Sequence, residues 1–473
     1  MYDRMQTFTD TDLAAIHKAS MDILENTGVV FQEERSLNIF KDSGFRIDGT
    51  TVFFKEEDIL AAIEKAPSRF KLSARNPEKS IYIGEDDWAF LPTYGAPFVC
   101  EPDGTQRTGT MTDYDNVCKL VQTSKAIDMC GFKHVEPSDV GTETAYLDML
   151  YSNMMLSDKP FMGSTDTVQA ARDTMQMIAI LFGGEEKVKG NPVTVGLINS
   201  LSPLQFAEEM AGSIVEYASW GQPVVIANMI MGGTSGPVSV PGILALMNAE
   251  ILAGLTLAQL VRPGTPVIYG STSCPTNMRT GAATIGAPET YKINSATTQL
   301  ARHYKLPCRT GGSLTDSLVP DGQAMAEGAL CLSTSVRNGA NFILHSCGMI
   351  GTYIGMSFEK WLIDEEMCGI IRAMYTPLEI GETAIDVETI KSVGPGGNYL
   401  MAPSTLAGCR TAFYATAFYN KANHNQWESL GRQKIDQAAS EELIKRLASY
   451  EKPPIDSEIE TALTSFLADR KSS

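Results

Sequence analysis

The sequence predicts an α/β fold, a closed (β/α)8 TIM-type barrel, and three observations carry that reading. Eight short β-type runs recur between residues 88 and 348. Each is followed by a stretch with helical spacing of apolar residues, the mark of parallel βαβ units. Eight such units fill roughly the 250 residues that a barrel of this kind needs. An open doubly wound sheet is the runner-up. No GxGxxG follows any run, so nothing supports a dinucleotide site.

The elements follow in order. Residues 1–87 precede the first run and read as an N-terminal helical cap. DLAAIHKASMDILENTG (12–28) and KEEDILAAIEKA (55–66) have helical periodicity, and a small β element ends in IYIG. The barrel is expected over 88–375. Its runs are WAFLPTY (88–94), IDMCGFKH (127–134), PFMGST (160–165), PVTVGLINS (192–200), PVVIANM (223–229), PVIYGSTS (266–273), PCRTGGS (307–313) and FILHSCG (342–348). Several open with proline, which suits the first residue of a strand because no ladder donor is lost there. Helices are expected at 205–220 and 287–305, among others. Residues 242–261 reach membrane-spanning length but contain Asn248, Glu250 and Gln259, so a buried barrel helix explains them better. Residues 376–473 form a C-terminal helical extension whose last two helices are broken at Pro453-Pro454.

Composition narrows the function. The 473 residues carry a net charge of -18, which argues against nucleic acid or an anionic membrane as partner. Glycines and prolines are dispersed, so no disordered linker is evident. Nine cysteines, an odd number with no CxxC pair, together with a polar, helical N-terminus, indicate reduced thiols and a cytoplasmic protein. Homo-oligomerisation is left open.

In such barrels the active site lies at the carboxyl ends of the strands. The runs end there in Tyr94-Gly95-Ala96-Pro97, Asn199-Ser200, Asn228, Ser271-Thr272-Ser273, Gly311-Gly312-Ser313 with Asp316 beyond, and His345-Ser346-Cys347. The inventory is hydroxyls, amides, rings and glycines with little charge. Closure sets the eighth strand beside the first, so Tyr94 and His345 are expected to be neighbours. The segment FILHSCGMIGTYIGMSFEKW (342–361) adds Tyr353, Phe358 and Trp361 just above. Rings grouped this way can surround a quaternary ammonium while an imidazole meets an acid group. Each ring taken singly reads as core packing, and Trp361 is assigned to packing outright.

His134 ends the second run and is the other histidine at the mouth, ranked below His345. No GxSxG elbow supports a Ser-His-Asp triad. A rival set is His345, Cys347 and Cys409, an imidazole and two thiols that could hold zinc and activate a thiol for methylation. Buried structural thiols are the competing explanation. Met229 and Met231 could line an apolar rim.

Four segments in combination, IHKASMDILENTGVVF with SARNP (73–77), SLTDSLVPDGQA (313–324), NGANFILHSCGMI (338–350) and YLMAPSTLAGCRTAFY (399–414), resemble the trimethylamine methyltransferase (MttB-type) family. The likeness runs from the first helix to about residue 430. It implies a (β/α)8 barrel that passes a methyl group from an amine to the cobalt of a separate, cognate corrinoid protein. The trimethylamine enzymes carry pyrrolysine in the barrel, whereas every residue here is one of the twenty standard types. The chain therefore resembles the non-pyrrolysine branch, which implies a quaternary amine as substrate. Glycine betaine comes first, with proline betaine, carnitine and γ-butyrobetaine as alternatives.

By position, the resemblance carries over His345 and Tyr94 as substrate contacts, with Tyr353 and Phe358 in the cage. His345 is expected to donate to the betaine carboxylate. Tyr94 and Tyr353 are expected to face the trimethylammonium, with Asn199 and Asn228 as further polar contacts. No cofactor is expected on this chain, because the corrinoid (cobalamin) rides on the partner and no DxHxxG is present. Two other readings stand beside this one: a zinc-dependent thiol methyltransferase, and a non-catalytic betaine-binding protein.

Overall fold

A computed structural model describes residues 4–472. Residues 1–3 of the expected N-terminal cap and residue 473 lie outside the described residues. The molecule is mixed α/β around a seven-stranded sheet. Its strands are β1 (Ala89–Phe90), β2 (Phe161–Met162), β3 (Thr194–Asn199), β4 (Val224–Ala227), β5 (Val267–Gly270), β6 (Cys308–Gly311) and β7 (Phe342–Leu344). Their spatial order is β1-β7-β6-β5-β4-β3-β2, with every neighbouring pair parallel. The central strands are rich in Val and Ile and buried on both faces, as parallel strands covered by helices must be. Phe342 pairs with Ala89, and Ile343 with Phe90. The last run and the first are thus adjacent, as expected.

The second run departs from expectation. Residues 127–134 form no regular strand, yet they touch both edges of the sheet. The Asp128 N–H donates to the Phe90 carbonyl (3.0 Å) and the Cys130 N–H to Pro160 (2.8 Å), while Cys130 accepts from Met162 (3.2 Å). The ladder is interrupted because the Asp128 carboxylate takes the Phe90 N–H at 2.7 Å. A short acidic side chain has displaced a backbone acceptor.

A helix follows every run, at Met111–Thr123, Ala145–Leu156, Val168–Phe182, Glu208–Ser219, Val240–Val261, Pro288–His303, Gly322–Asn338 and Phe358–Tyr375. Val240–Val261 is long and apolar enough to cross a membrane by length and composition, but it is mostly buried inside the protein. The N-terminal helices Asp10–Asn26 and Glu56–Lys65 pack along it. Ser20 donates to the Ala245 carbonyl and accepts from Asn248, both at 2.9 Å.

The N-terminal segment is richer than expected. It contains a third helix, Glu34–Asp42, and three-residue strands that join Gln205–Phe206 in a four-stranded sheet. The start of the expected 205–220 helix is therefore strand, and the helix begins at Glu208. The closing helices are Ile435–Ala448 and Ser457–Ser472, separated at the Pro-Pro pair as expected. The first packs on Phe358–Tyr375, where Arg446 meets Glu365 at 2.6 Å. The second packs on Val168–Phe182, where the Arg470 Nε donates to the buried Asp173 at 2.9 Å.

Candidate functional site

A cavity of about 300 Å³ opens at the carboxyl ends of the strands. His345, Tyr94, Tyr353 and Asn199 line it together with Lys133, Glu136, Thr165, Asp166, Met229, Thr272 and Arg309. Four of the six expected contact residues thus come together.

His345 leaves β7 with φ at +61°, a left-handed conformation costly for a side chain with a Cβ. Backbone bonds hold it there. Its N–H donates to Pro92 (3.1 Å), and its carbonyl accepts from Ser313 (2.8 Å). Gly312 lets the two strand ends approach this closely, since a Cβ on it would lie 2.5 Å from the Ser346 Cα. The imidazole Nε2 lies 3.1 Å from the Tyr94 carbonyl, and Nδ1 lies 3.3 Å from the Arg309 Nη2. A carbonyl can only accept and a guanidinium can only donate. The network therefore assigns the proton to Nε2 and the lone pair to Nδ1. Burial, then the Arg309 charge, hold the imidazole well below its ordinary pKa of 6.5, so it is neutral. Both ring nitrogens are occupied within the protein. The expected donation from His345 to a carboxylate has no N–H left to make it.

Tyr353 stands edge-on to His345, with ring centroids 5.0 Å apart. Gly351, Thr352 and Tyr353 bring it there through three successive positive φ values of 58°, 53° and 70°. This turn is tied down from outside. Gly351 and Thr352 donate their N–H groups to the Ser317 and Thr315 carbonyls, and the Thr352 hydroxyl donates to Asp316 at 2.7 Å. Asp316 also accepts from the Ile285 and Gly286 N–H groups. The Tyr353 hydroxyl is buried without a hydrogen-bond partner of acceptable geometry, although Thr272 is near enough to offset a little of the rise that burial causes in its pKa. Burial pushes both phenols well above 10; at Tyr94, Asp166 and Glu136 add to the effect.

The mouth is not the neutral rim the strand ends suggested. Lys133 meets Asp166 at 2.8 Å and Glu136 at 3.7 Å, one cation against two carboxylates. Arg309, only 2% exposed, stands on β6, which β3, β4 and β5 separate from β2 in the sheet. No carboxylate among the described residues pairs with it, and its Nε has no hydrogen-bond partner. Tyr94 senses both groups, its pKa raised by the acids and lowered by Arg309. Arg309, Lys133 and Asp166 lie within or beside the expected runs but are not among the residues the sequence singles out. The signal available is a cation within a run expected to be a barrel strand, a placement that burial alone disfavours.

The remaining expected residues lie elsewhere. Asn228 is buried in a polar cluster, donating to Met247 (3.2 Å) and Glu250 (3.1 Å) and accepting from Ser271 (3.0 Å). It does not line the cavity, because Glu250 draws its amide outward to the helix. Phe358 begins a helix and packs in the core, as Trp361 does. Met231 lies off the cavity, whereas Met229 lines it. His134 is fully buried, with Nε2 3.3 Å from the Asn153 Oδ1. The zinc set does not assemble: Cys347 is fully buried in the core while Cys409 is exposed on the C-terminal extension. Among the described residues no three His, Cys, Asp or Glu side chains group to hold a metal ion.

The whole chain, residues 1–473, matches the family described as trimethylamine methyltransferase (MTTB). The chain belongs to the trimethylamine methyltransferase family. This family member is similar to a glycine betaine methyltransferase of Desulfitobacterium hafniense (strain Y51), 40% identical over 98% of this chain and 96% of that one. It is also similar to a proline betaine:corrinoid methyltransferase of Eubacterium limosum, 31% identical over 99% and 98%. A trimethylamine methyltransferase of Desulfitobacterium hafniense (strain DSM 10664 / DCB-2) is 30% identical over 98% and 93%.

Proposed function

We propose that this chain is a methyltransferase that moves a methyl group from a quaternary amine, glycine betaine first, to the Co(I) corrinoid of a separate corrinoid protein. The observation that carries the reading is end-to-end identity of 40% with a glycine betaine methyltransferase. The more distant proline betaine enzyme makes proline betaine the second substrate to test. In the same reading the sheet closes into a (β/α)8 barrel through residues 127–134, whose backbone bonds reach both β1 and β2.

The chemistry fits the cavity. When the carbon–nitrogen bond of a quaternary amine breaks, its electron pair stays on nitrogen and the amine leaves neutral, so no proton donor is required. The acceptor is on the partner, and the work of this chain is to hold the cation, aim one methyl outward and exclude competing nucleophiles. The ring faces of Tyr94 and Tyr353 hold the trimethylammonium, each contributing ~0.5–2 kcal/mol. Their raised pKa values keep both phenols protonated, so neither becomes a phenolate that could capture the methyl. His345 is guarded similarly, since its Nδ1 lone pair already accepts from Arg309. Asn199, at the end of β3, adds a polar contact at the mouth. All nine cysteines are unpaired thiols, which supports a cytoplasmic setting.

The test is methyl transfer to Co(I) corrinoid from a panel of quaternary amines and trimethylamine. Transfer from glycine betaine alone supports the reading. Transfer from trimethylamine alone overturns it.

A further inference from the structure

We infer that Arg309 is the receptor for the carboxylate of the substrate, and that this residue makes the cavity selective for zwitterions over simple quaternary cations. The inference rests on the proposed function for the identity of the cationic end, and on the cavity itself for the anionic end.

Three observations lead to it. Arg309 lines the cavity and is 2% exposed. A cation taken this far out of water is normally paired, because isolated burial of charge is costly. Yet no carboxylate among the described residues reaches it, its Nε has no partner, and its one side-chain hydrogen bond goes to a neutral imidazole nitrogen at 3.3 Å. A planar guanidinium that lines a cavity and keeps an N–H without a partner matches a carboxylate, which can accept two parallel bonds from such a fork.

His345 then acts on the ligand through Arg309. Its Nδ1 holds one guanidinium nitrogen, and its Nε2–H is fixed by the Tyr94 carbonyl. The imidazole is thus a positioning residue that aims the fork. The stem of Arg309 lies against Gly270, where an added Cβ would come within 3.2 Å of it. The opposite pole is supplied by Asp166 and Glu136, only partly offset by Lys133. Such charges suit a ligand with an anion at one end and a trimethylammonium at the other.

The experiment is calorimetric titration of the full-length protein, wild type and Arg309→Met, with glycine betaine, choline and acetate. Choline keeps the trimethylammonium and replaces the carboxylate by a hydroxyl. The wild type is expected to bind glycine betaine far more tightly than choline. Arg309→Met should weaken betaine binding about 50-fold or more, the range for hydrogen bonds to a charged group, and change choline binding less than about threefold. Arg309→Lys, which keeps the charge without the fork, should fall between.

Removal of an unpaired buried charge should raise the melting temperature of Arg309→Met, so a folding defect is separable from a binding defect. Betaine binding by folded Arg309→Met within twofold of wild type overturns the inference, as does a wild type that prefers choline. Methyl transfer in the same preparations keeps the two claims apart. Transfer with Arg309-independent binding removes this inference and leaves the function. Arg309-dependent binding of acetate without any transfer removes the function and leaves the receptor. Failure of wild type to bind any carboxylate removes both.

Discussion

His345 and Tyr94 stand 251 positions apart in the chain, and the imidazole Nε2–H of one donates to the backbone carbonyl of the other at 3.1 Å. The bond exists because β7 pairs with β1. It fixes the tautomer of His345, leaves Nδ1 to accept from Arg309, and so links the strand pairing to the aim of a buried cation that lines the cavity. Replacing His345 by Ala frees the Arg309 side chain and removes the ring beneath Tyr353. Glycine betaine affinity is expected to drop ~10–100-fold, the equivalent of one or two charge-assisted hydrogen bonds. Titration calorimetry checks this, and unchanged affinity would remove His345 from the site.

Stability should fall in mild acid because of the same residue. The folded-state pKa of His345 lies well below its unfolded value of about 6.5, through burial first and Arg309 second. Below pH 6.5 the unfolded chain takes up a proton that the folded chain refuses, so stability is lost as pH falls through that value, by at most ~1.4 kcal/mol per pH unit. Melting temperatures between pH 7.5 and 5 should therefore decline more steeply in the wild type than in His345→Gln. Parallel profiles would show that His345 does not titrate as described.

Tyr353 is expected to act through its ring. Its hydroxyl makes no acceptable hydrogen bond, so Tyr353→Phe should change KM for the quaternary amine less than about threefold. Tyr353→Leu removes the π face and should raise KM ~5–30-fold, the worth of one cation–π contact in a desolvated site. Steady-state kinetics separates the two variants, and equal losses in both would point to the hydroxyl instead.

Asp316 should behave as a remote support for that ring. It anchors Thr352, Ile285 and Gly286, and without it the three left-handed residues of the 351–353 turn lose their tether. Asp316→Ala is expected to raise KM severalfold and lower stability by ~1–3 kcal/mol, the cost of leaving buried donors unmet. Denaturant unfolding alongside kinetics measures both quantities.

Asn228 should prove structural. It completes the bonding of the fully buried Glu250, which also accepts from Ser200, Ser202 and the Leu204 N–H. Asn228→Ala is expected to cost ~1–3 kcal/mol of stability and to leave KM within about twofold. A large KM change in a fully stable variant would return Asn228 to the binding site.

Much of this arrangement could be read from the chain, for physical reasons that differ by element. Parallel strands buried on both faces leave short apolar runs, and seven of the eight expected runs contain strands of the sheet. The eighth, 127–134, failed as a regular strand because the Asp128 side chain competes for the Phe90 N–H, a local bond that no periodicity reveals. The short helix Glu34–Asp42 is not legible, since nine residues with two buried positions give little pattern.

At the site, Tyr94 and His345 followed from strand order alone. Phe358 does not reach the cavity because it opens a helix and packs in the core, while the turn that swings Tyr353 inward depends on three positive φ values that residue spacing does not reveal. Arg309 does not stand out in the sequence because its run, PCRTGGS, is small and polar and gives no sign that the cation is buried. Only the fold shows that no acid comes to meet it.

The most direct test of the central claim is the absorbance change of Co(I) corrinoid, free or protein-bound, on mixing with the enzyme and one methyl donor at a time. Methylated corrinoid is expected from glycine betaine and not from trimethylamine, with dimethylglycine as the stoichiometric product. Methylation from trimethylamine and none from any betaine would contradict the account.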